Sequence, residues 1–340
     1  MKSRLFKRGL TVVASLAVGA LALSGCSSNG GGTTAPAEGT SGGGDTAASK
    51  VIGVSIADQK SLFYIAAVNG MRQAAEEAGY ELIVLSADNN STQQVNQVQD
   101  LLAQGVGVLI YTPQDATAAA AGVELANEAG VPVVGVDQRP ESGDGVLATY
   151  IATDSVKAAY ELCSWLFDQI GNEGEIAVLQ GPLGSTAEIQ RTQGCTNALE
   201  ENPDVTVVQW ESAGWDETLA FEATQNILTA NPNLVAIFGE SDAMALGAAK
   251  AAEQAGRTGL FFGGIDGFPT MFEAIESGLV QATMAQQPYL MGQLAVRDAI
   301  KILNGEGDTV PELQYQDTVL VTRENVAEND PSVFYGPDFQ

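Results

Sequence analysis

From Lys50 onward, short apolar runs alternate with amphipathic stretches, and that regularity leaves few folds open. The first set of runs is "VIGVSI", "ELIVLS", "VGVLIY" and "VPVVGV"; the second is "EIAVLQ", "VTVVQW", "LVAIFG" and "GLFFGGI". Runs this short, without regular polar alternation, suit strands buried on both faces. Between them lie stretches such as "TQQVNQVQDLLAQG", where Val95, Val98, Leu101 and Leu102 fall on one helical face. Strand and helix in strict alternation predict an α/β protein whose parallel sheets carry helices on both sides. The bridging segment "GVLATYIATDSVKAAYELCSWLFDQI" separates the two sets, which predicts two doubly wound lobes.

The halves resemble one another. "TPQDATAAAAGVELANEAGVPVVGVD" and "GESDAMALGAAKAAEQAGRTGLFFGGID" each carry an Asp at a helix start (Asp115, Asp242), an Ala-rich helix and a strand. Each then ends on a second Asp, Asp137 or Asp266. Ligands of open α/β sheets bind beyond the carboxyl ends of the strands. Two lobes with facing rims would therefore bring Asp137 and Asp266 to one cleft. The alternative is that each merely caps a following helix, but "QRPESGDG" and "GFPTMF" offer no clear helix at that spacing.

The N-terminal 49 residues read differently. Lys2, Arg4, Lys7 and Arg8 precede "GLTVVASLAVGALAL", which has the form of a secretory signal. The run ends in "LSGC", which resembles a lipobox, so cleavage before Cys26 and lipidation of its thiol are expected. Residues 1–25 would be the signal peptide and 26–49, rich in Gly, Ser and Thr, a flexible tether. The expected location is extracytoplasmic, on the outer face of a bacterial cell membrane, held by lipid alone.

Composition excludes several classes. The chain has no His, which removes Ser-His-Asp and Cys-His catalysis and His-based zinc sites. No phosphate loop, nucleophile elbow or metal-ligand cluster is present, and no cofactor is expected. Formal charge is −27, and without residues 1–26 it is −31, a balance that repels nucleic acid. Cys163 and Cys195 remain after Cys26; an even pair in an exported chain predicts one disulfide, with two separate buried thiols as the alternative.

A family resemblance runs through the same residues. "LFYIAAVNGMRQAAEEAGYEL", "VPVVGVD", "LQGPLGSTAEIQRTQG", "NILTANPNLVAIFGESDAMALGA", "GIDG" and "ATMAQQP" occur in order between Lys50 and about Thr322. Together they resemble the periplasmic sugar-binding proteins of the ribose-binding type, solute receptors of ABC importers. The resemblance implies two lobes joined by a three-crossing hinge, no catalysis, and two partners: a sugar or polyol, and an ABC permease. It places the first lobe at 50–153 plus 287–317 and the second at 154–286 plus 318–340, and it implies a monomer. A sensory receptor subunit and a sugar-processing enzyme using Asp137 and Asp266 are the alternatives.

For the site, the resemblance implies Ser61, Phe63, Tyr64, Asp137 and Gln138 in the first lobe, with Arg139 a further candidate and the choice between Gln138 and Arg139 left open. Arg191, Trp215, Ser241 and Asp266 follow in the second, with Gln286 at a hinge crossing. An aromatic plane can pack on the C–H face of a sugar, while Asp, Arg and Gln bond its hydroxyls. One ring of the Phe63–Tyr64 pair is expected to be partly core and the other a platform opposite Trp215. The chain also departs from the ribose-type pattern. Ser stands at 61 and 241 where Asn is usual, Asp137-Gln138 replaces "DR" with Arg139 displaced by one, and Glu240 adds a carboxylate expected near the cleft.

Overall fold

Each apolar run becomes a strand in the computed structural model, which describes residues 50–139 and 143–337. The signal, the lipobox cysteine Cys26 and the tether lie outside the described residues. In the first half, β1 (Val51–Ile56), β2 (Glu81–Ser86), β3 (Val108–Thr112), β4 (Val133–Val136) and β5 (Thr149–Thr153) alternate with three helices. These are α1 (Leu62–Ala78), α2 (Ser91–Ala103) and α3 (Ala116–Glu128). The strands β3, β4 and β5 are buried at every position, as parallel strands covered on both faces must be.

The second half repeats the plan. It comprises α4 (Ser155–Gln169), β6 (Gly174–Gln180), α5 (Thr186–Glu201), β7 (Val205–Ser212), α6 (Glu217–Ala230) and β8 (Leu234–Gly239). Next come α7 (Asp242–Gln254), β9 (Phe261–Asp266), α8 (Pro269–Ser277), β10 (Ala282–Ala285) and α9 (Pro288–Leu303). The chain closes with β11 (Leu313–Gln316), β12 (Val319–Thr322) and α10 (Pro331–Tyr335).

Two six-stranded sheets result, ordered β11-β5-β4-β3-β1-β2 and β12-β10-β9-β8-β6-β7. Among the described residues, all pairings are parallel except β10 with β12. The shared order β4-β3-β1-β2 and β9-β8-β6-β7 is the internal repeat made visible. The chain passes between sheets three times: from β5 into α4, from β10 into α9, and from β11 into β12.

Local chemistry sets the helix starts that face the rims. Asn90, Asp115, Asp154, Ser185 and Asp216 each accept a hydrogen bond from the backbone N–H three residues on, satisfying a donor that the helix leaves open. The halves differ at one such start: Asp115 caps α3, whereas Ser241 caps α7 and Asp242 is its first residue.

Cys163 on α4 and Cys195 on α5 are both fully buried free thiols, so the expected disulfide is not formed here, although they are not the separate thiols of the alternative. The two side chains touch, because α4 packs on α5. Burial pushes the Cys163 thiol well up, which suppresses the thiolate that disulfide exchange requires.

Candidate functional site

The switch points of both sheets, between β1 and β3 and between β6 and β8, lead to one cavity of about 690 Å³. Its walls come from residues just past strand ends: Asp58 and Ser61 after β1, Gln114 after β3, and Asp137 and Gln138 after β4. From the other sheet come Pro182 after β6, Trp215 after β7, Ser241 after β8, and Asp266 and Phe268 at the end of β9. Ser61, Phe63, Tyr64, Asp137, Gln138, Arg191, Trp215, Ser241, Asp266 and Gln286 all line it.

On the first-sheet side, Asp137 has φ of 63°, a left-handed turn that directs the chain out of β4. The Tyr64 hydroxyl donates to Asp137 Oδ2 at 2.9 Å, and the Tyr150 hydroxyl donates to the Asp137 carbonyl. Burial raises the Asp137 carboxyl, opposed by that Tyr64 bond and by the charge of Arg191. Phe63 packs in the core of the first lobe while also reaching the cavity, and its ring meets Tyr64 edge to face at 5.5 Å. Tyr64 is therefore the ring with a polar handle on the wall.

The second-sheet side is built around Arg191 on α5, which is 4% exposed. Its guanidinium donates to the Glu240 carbonyl, lies 3.7 Å from Asp266 Oδ1 and sits 5.3 Å from the Trp215 ring. Its ionic partner is thus Asp266. Its buried Nε makes no hydrogen bond to the described residues. Asp266, at φ of 151°, accepts from Gln286 Nε2 at 2.8 Å, and Gln286 Oε1 accepts from the Thr153 hydroxyl at 2.6 Å. A polar chain thus runs from Arg191 through Asp266 to two of the three sheet-to-sheet passages. Burial pushes Asp266 up to about 6, against the pull of Arg191.

Trp215 follows Gly214, and both have positive φ, at 64° and 61°. The indole lies directly over Gly181, where an added Cβ would stand 2.0 Å from the ring. Only glycine allows that approach. Gly181→Ala should therefore displace the indole and weaken ligand binding about tenfold, on the order of 1.4 kcal/mol. Titration calorimetry on the variant checks this, and an unchanged affinity would show that the indole does not contact ligand.

The structure revises two sequence-based expectations. Arg139 does not line the cavity: it is exposed, with its guanidinium 5.2 Å from the Tyr150 ring. The turn at Asp137 instead directs Gln138 inward, where its Oε1 accepts from the Thr186 N–H at 3.0 Å. That bond spans the cleft, joined by the Thr186 hydroxyl donating to the Arg139 carbonyl at 3.2 Å. Glu240 does not face the cleft either; it is fully buried, with Oε2 accepting from Gly181 N–H at 2.9 Å and Oε1 from the Thr192 hydroxyl at 2.7 Å. Ser241 reaches the cavity, but its oxygen also caps α7 by accepting from Met244 N–H at 3.4 Å.

Asp242, just behind Ser241, is fully buried and holds the turn after β9. It accepts from Gly267 N–H at 2.7 Å, Phe268 N–H at 2.8 Å and the Thr283 hydroxyl at 2.7 Å. Burial and the nearby Asp266 push it up to about 8. Asp58, Gln114 and Phe268 are cavity residues that sequence reading missed. Asp58 Oδ1 ties the turn into α1 by accepting from Lys60 and Ser61 N–H groups at 2.7 and 2.8 Å. The available signal was their position, just beyond an apolar run.

Such a site can hold a small, hydroxyl-rich molecule: carboxylates accept, a guanidinium fork donates, and flat rings cover an apolar face. Known proteins resemble this chain over most of its length. The ribose import binding protein of Bacillus subtilis is 34% identical over 255 residues, covering 75% of this chain and 82% of that protein. The xylitol-binding protein of Mycolicibacterium smegmatis is 35% identical over 265 residues, covering 76% of this chain and 75% of that protein. An ABC transporter solute binding protein from Bacillus halodurans, solved with bound myo-inositol, superposes with a TM-score of 0.78 at 31% identity. That alignment covers 84% of this chain and 98% of the other. The sequence profile of the periplasmic binding protein domain matches residues 52–307, and the chain belongs to that family of solute-binding proteins.

Proposed function

We propose that this chain captures a monosaccharide or polyol in the cavity between its sheets and delivers it to an ABC import permease. The observation that carries the reading is the convergence of strand ends from both sheets on Asp137, Asp266, Arg191 and Trp215. A ligand touching both rims favours the closed arrangement, because it contributes contacts on both sides only when they are together. The cross-cleft bonds of Gln138 and Thr186 support closure as part of the cycle. The lobes are 50–153 plus 287–317 and 154–286 plus 318–340, with the passages after β5, β10 and β11 as hinges. Asp137, Tyr64 and Gln138 serve ligand from the first lobe; Arg191, Trp215, Ser241 and Asp266 serve it from the second. Ser61, Phe63 and Gln286 complete the set.

In this reading the protein is an exported monomer without enzymatic activity, tethered by lipid at Cys26 after removal of residues 1–25. A thermal-shift screen across pentoses, hexoses and polyols tests the ligand class. A binder at 100 times its dissociation constant should add about 2.7 kcal/mol of stability. No shift from any member of the panel would overturn the sugar reading.

A further inference from the structure

The family profile ends at residue 307, yet the chain continues past β12 into a short segment that is packed against the site from behind. In α10, Tyr335 is fully buried and does not line the cavity. Its hydroxyl donates to the backbone carbonyl of Asp266 at 3.0 Å, across 69 residues of sequence. The same carbonyl accepts from the Gln286 N–H at 3.0 Å, so both of its lone pairs are engaged. Asp266 and Gln286 are thus bonded twice, through this backbone contact and through the Gln286 side chain on Asp266 Oδ1.

The anchoring of α10 is equally specific. Pro331 opens the helix and Asp330 Oδ1 accepts from Ser332 N–H at 2.9 Å. The Tyr335 ring meets Phe268 edge to face at 5.7 Å, and Phe334 lies against Phe272 at 6.1 Å. On the other side Gly336, at φ of 94°, passes so close to Tyr289 of α9 that a Cβ would fall 2.6 Å from the ring. The segment therefore touches α8, which follows the second sheet's β9, and also α9 and α1, which cover the first sheet. It is seated where the two lobes join.

We propose that the C-terminal segment is a positioning element of the binding site, in which Tyr335 fixes the Asp266–Gln286 pair and ties it to helices of both lobes. Tyr335 touches no ligand; it acts through the Asp266 backbone. The proposal rests on the sugar-binding reading for its effect on affinity, but its effect on Gln286 does not.

Tyr335→Phe in the full-length chain removes one oxygen and keeps the ring. Hydrogen exchange at the Gln286 amide should accelerate roughly three- to tenfold, the scale of one hydrogen bond, while amides of β6 keep their protection. Affinity for D-ribose, xylitol or myo-inositol, whichever the wild-type chain binds, should fall by a similar factor. A merely structural tyrosine would instead change Gln286 and β6 protection together. Unchanged Gln286 exchange, a uniform change across both regions, or an unchanged affinity would each overturn the proposal. Should the wild-type chain bind none of the three, the sugar reading would be in question, and the exchange result would still decide the role of Tyr335.

Discussion

Replacing Arg191 by Met should reduce ligand affinity about a hundredfold, the usual scale for truncating one partner of a buried, hydrogen-bonded charge pair. Methionine fills much of the same volume, so the loss is chemical rather than a cavity. Three functions disappear together: the donor to the Glu240 carbonyl, the positive charge 3.7 Å from Asp266 Oδ1, and the cation over Trp215. The buried Nε, which makes no bond to the described residues, is the donor a ligand hydroxyl would meet. Asp137 and Asp266 also lose the charge that opposes their upward shift, so both carboxyls rise further. Asp266 already stands at about 6, and a further rise would leave it protonated near neutral pH, a donor where an acceptor is required. The residual affinity of Arg191→Met should therefore recover as pH is raised, more steeply than in the wild type. Lys at this position would not substitute, because an ammonium lacks the planar fork that spans a carbonyl, a carboxylate and a ring face. Calorimetry at two pH values measures both effects; wild-type affinity in the variant would remove Arg191 from the site.

The sequence disclosed eight of the twelve strands among the described residues. Of the other four, β12 is the apolar but four-residue edge strand "VLVT", and the remaining three were hidden by composition. The eight runs that read as strands are dominated by Val, Ile, Leu and Phe. β5 mixes Thr, Tyr and Ala; β10 is the four-residue "ATMA"; β11 is an edge strand with Leu313 and Tyr315 exposed. None has the hydrophobicity that marked the others, and β5, β10 and β11 are the strands from which the chain leaves its sheet. In α2, Gln94 is buried where periodicity highlighted Val95, because its side chain bonds the Thr112 carbonyl and the Gln114 N–H at 2.8 Å each. A polar residue chosen to satisfy a neighbouring strand end leaves no hydrophobic signature.

The site was legible wherever a single rule governed it. Asp137 and Asp266 follow buried strands, and the strand-end rule places both at the cavity. The same rule applied to β1 and β3 would have added Asp58 and Gln114. Single-residue choices were harder. Whether Gln138 or Arg139 turns inward depends on the positive φ of Asp137, a backbone property that side-chain identity only weakly encodes. Glu240 lies between Gly239 and Ser241 at another strand end, yet its side chain bonds Gly181 away from the cavity while Ser241 reaches it. Adjacent residues in extended backbone point to opposite sides, so proximity in sequence to a site residue is a poor guide to the site itself.

That buried Glu240 should make the protein less stable as pH rises, and Glu240→Gln should abolish its share of the effect. The side chain is fully buried, and burial pushes its carboxyl up to about 8 even though Thr192 and Gly181 hydrogen bonds favour the charged form. In the unfolded chain the group titrates near its ordinary value of 4.5. Between those values the folded protein holds a proton that the unfolded chain has released, so stability falls with increasing pH. The contribution is complete below about 4.5 and is lost as pH rises through about 8. Asp266 and Asp242, raised to about 6 and about 8, act in the same direction. The acidic surface also repels itself more strongly as pH rises, but that contribution is common to wild type and variant and cancels in their difference. Glutamine keeps the neutral form permanently, with its oxygen able to accept from Gly181 and its amide able to donate to the Thr192 hydroxyl. Urea unfolding at pH 5, 6.5 and 8 should show similar stabilities at pH 5 and a variant more stable by about 2 kcal/mol or more at pH 8. That scale follows because a tenfold change in a carboxyl's proton affinity on folding corresponds to about 1.4 kcal/mol. Parallel curves for the two proteins would mean that Glu240 is charged in the folded state across this range. A variant destabilised equally at every pH would mean that the Thr192 and Gly181 bonds require a carboxylate.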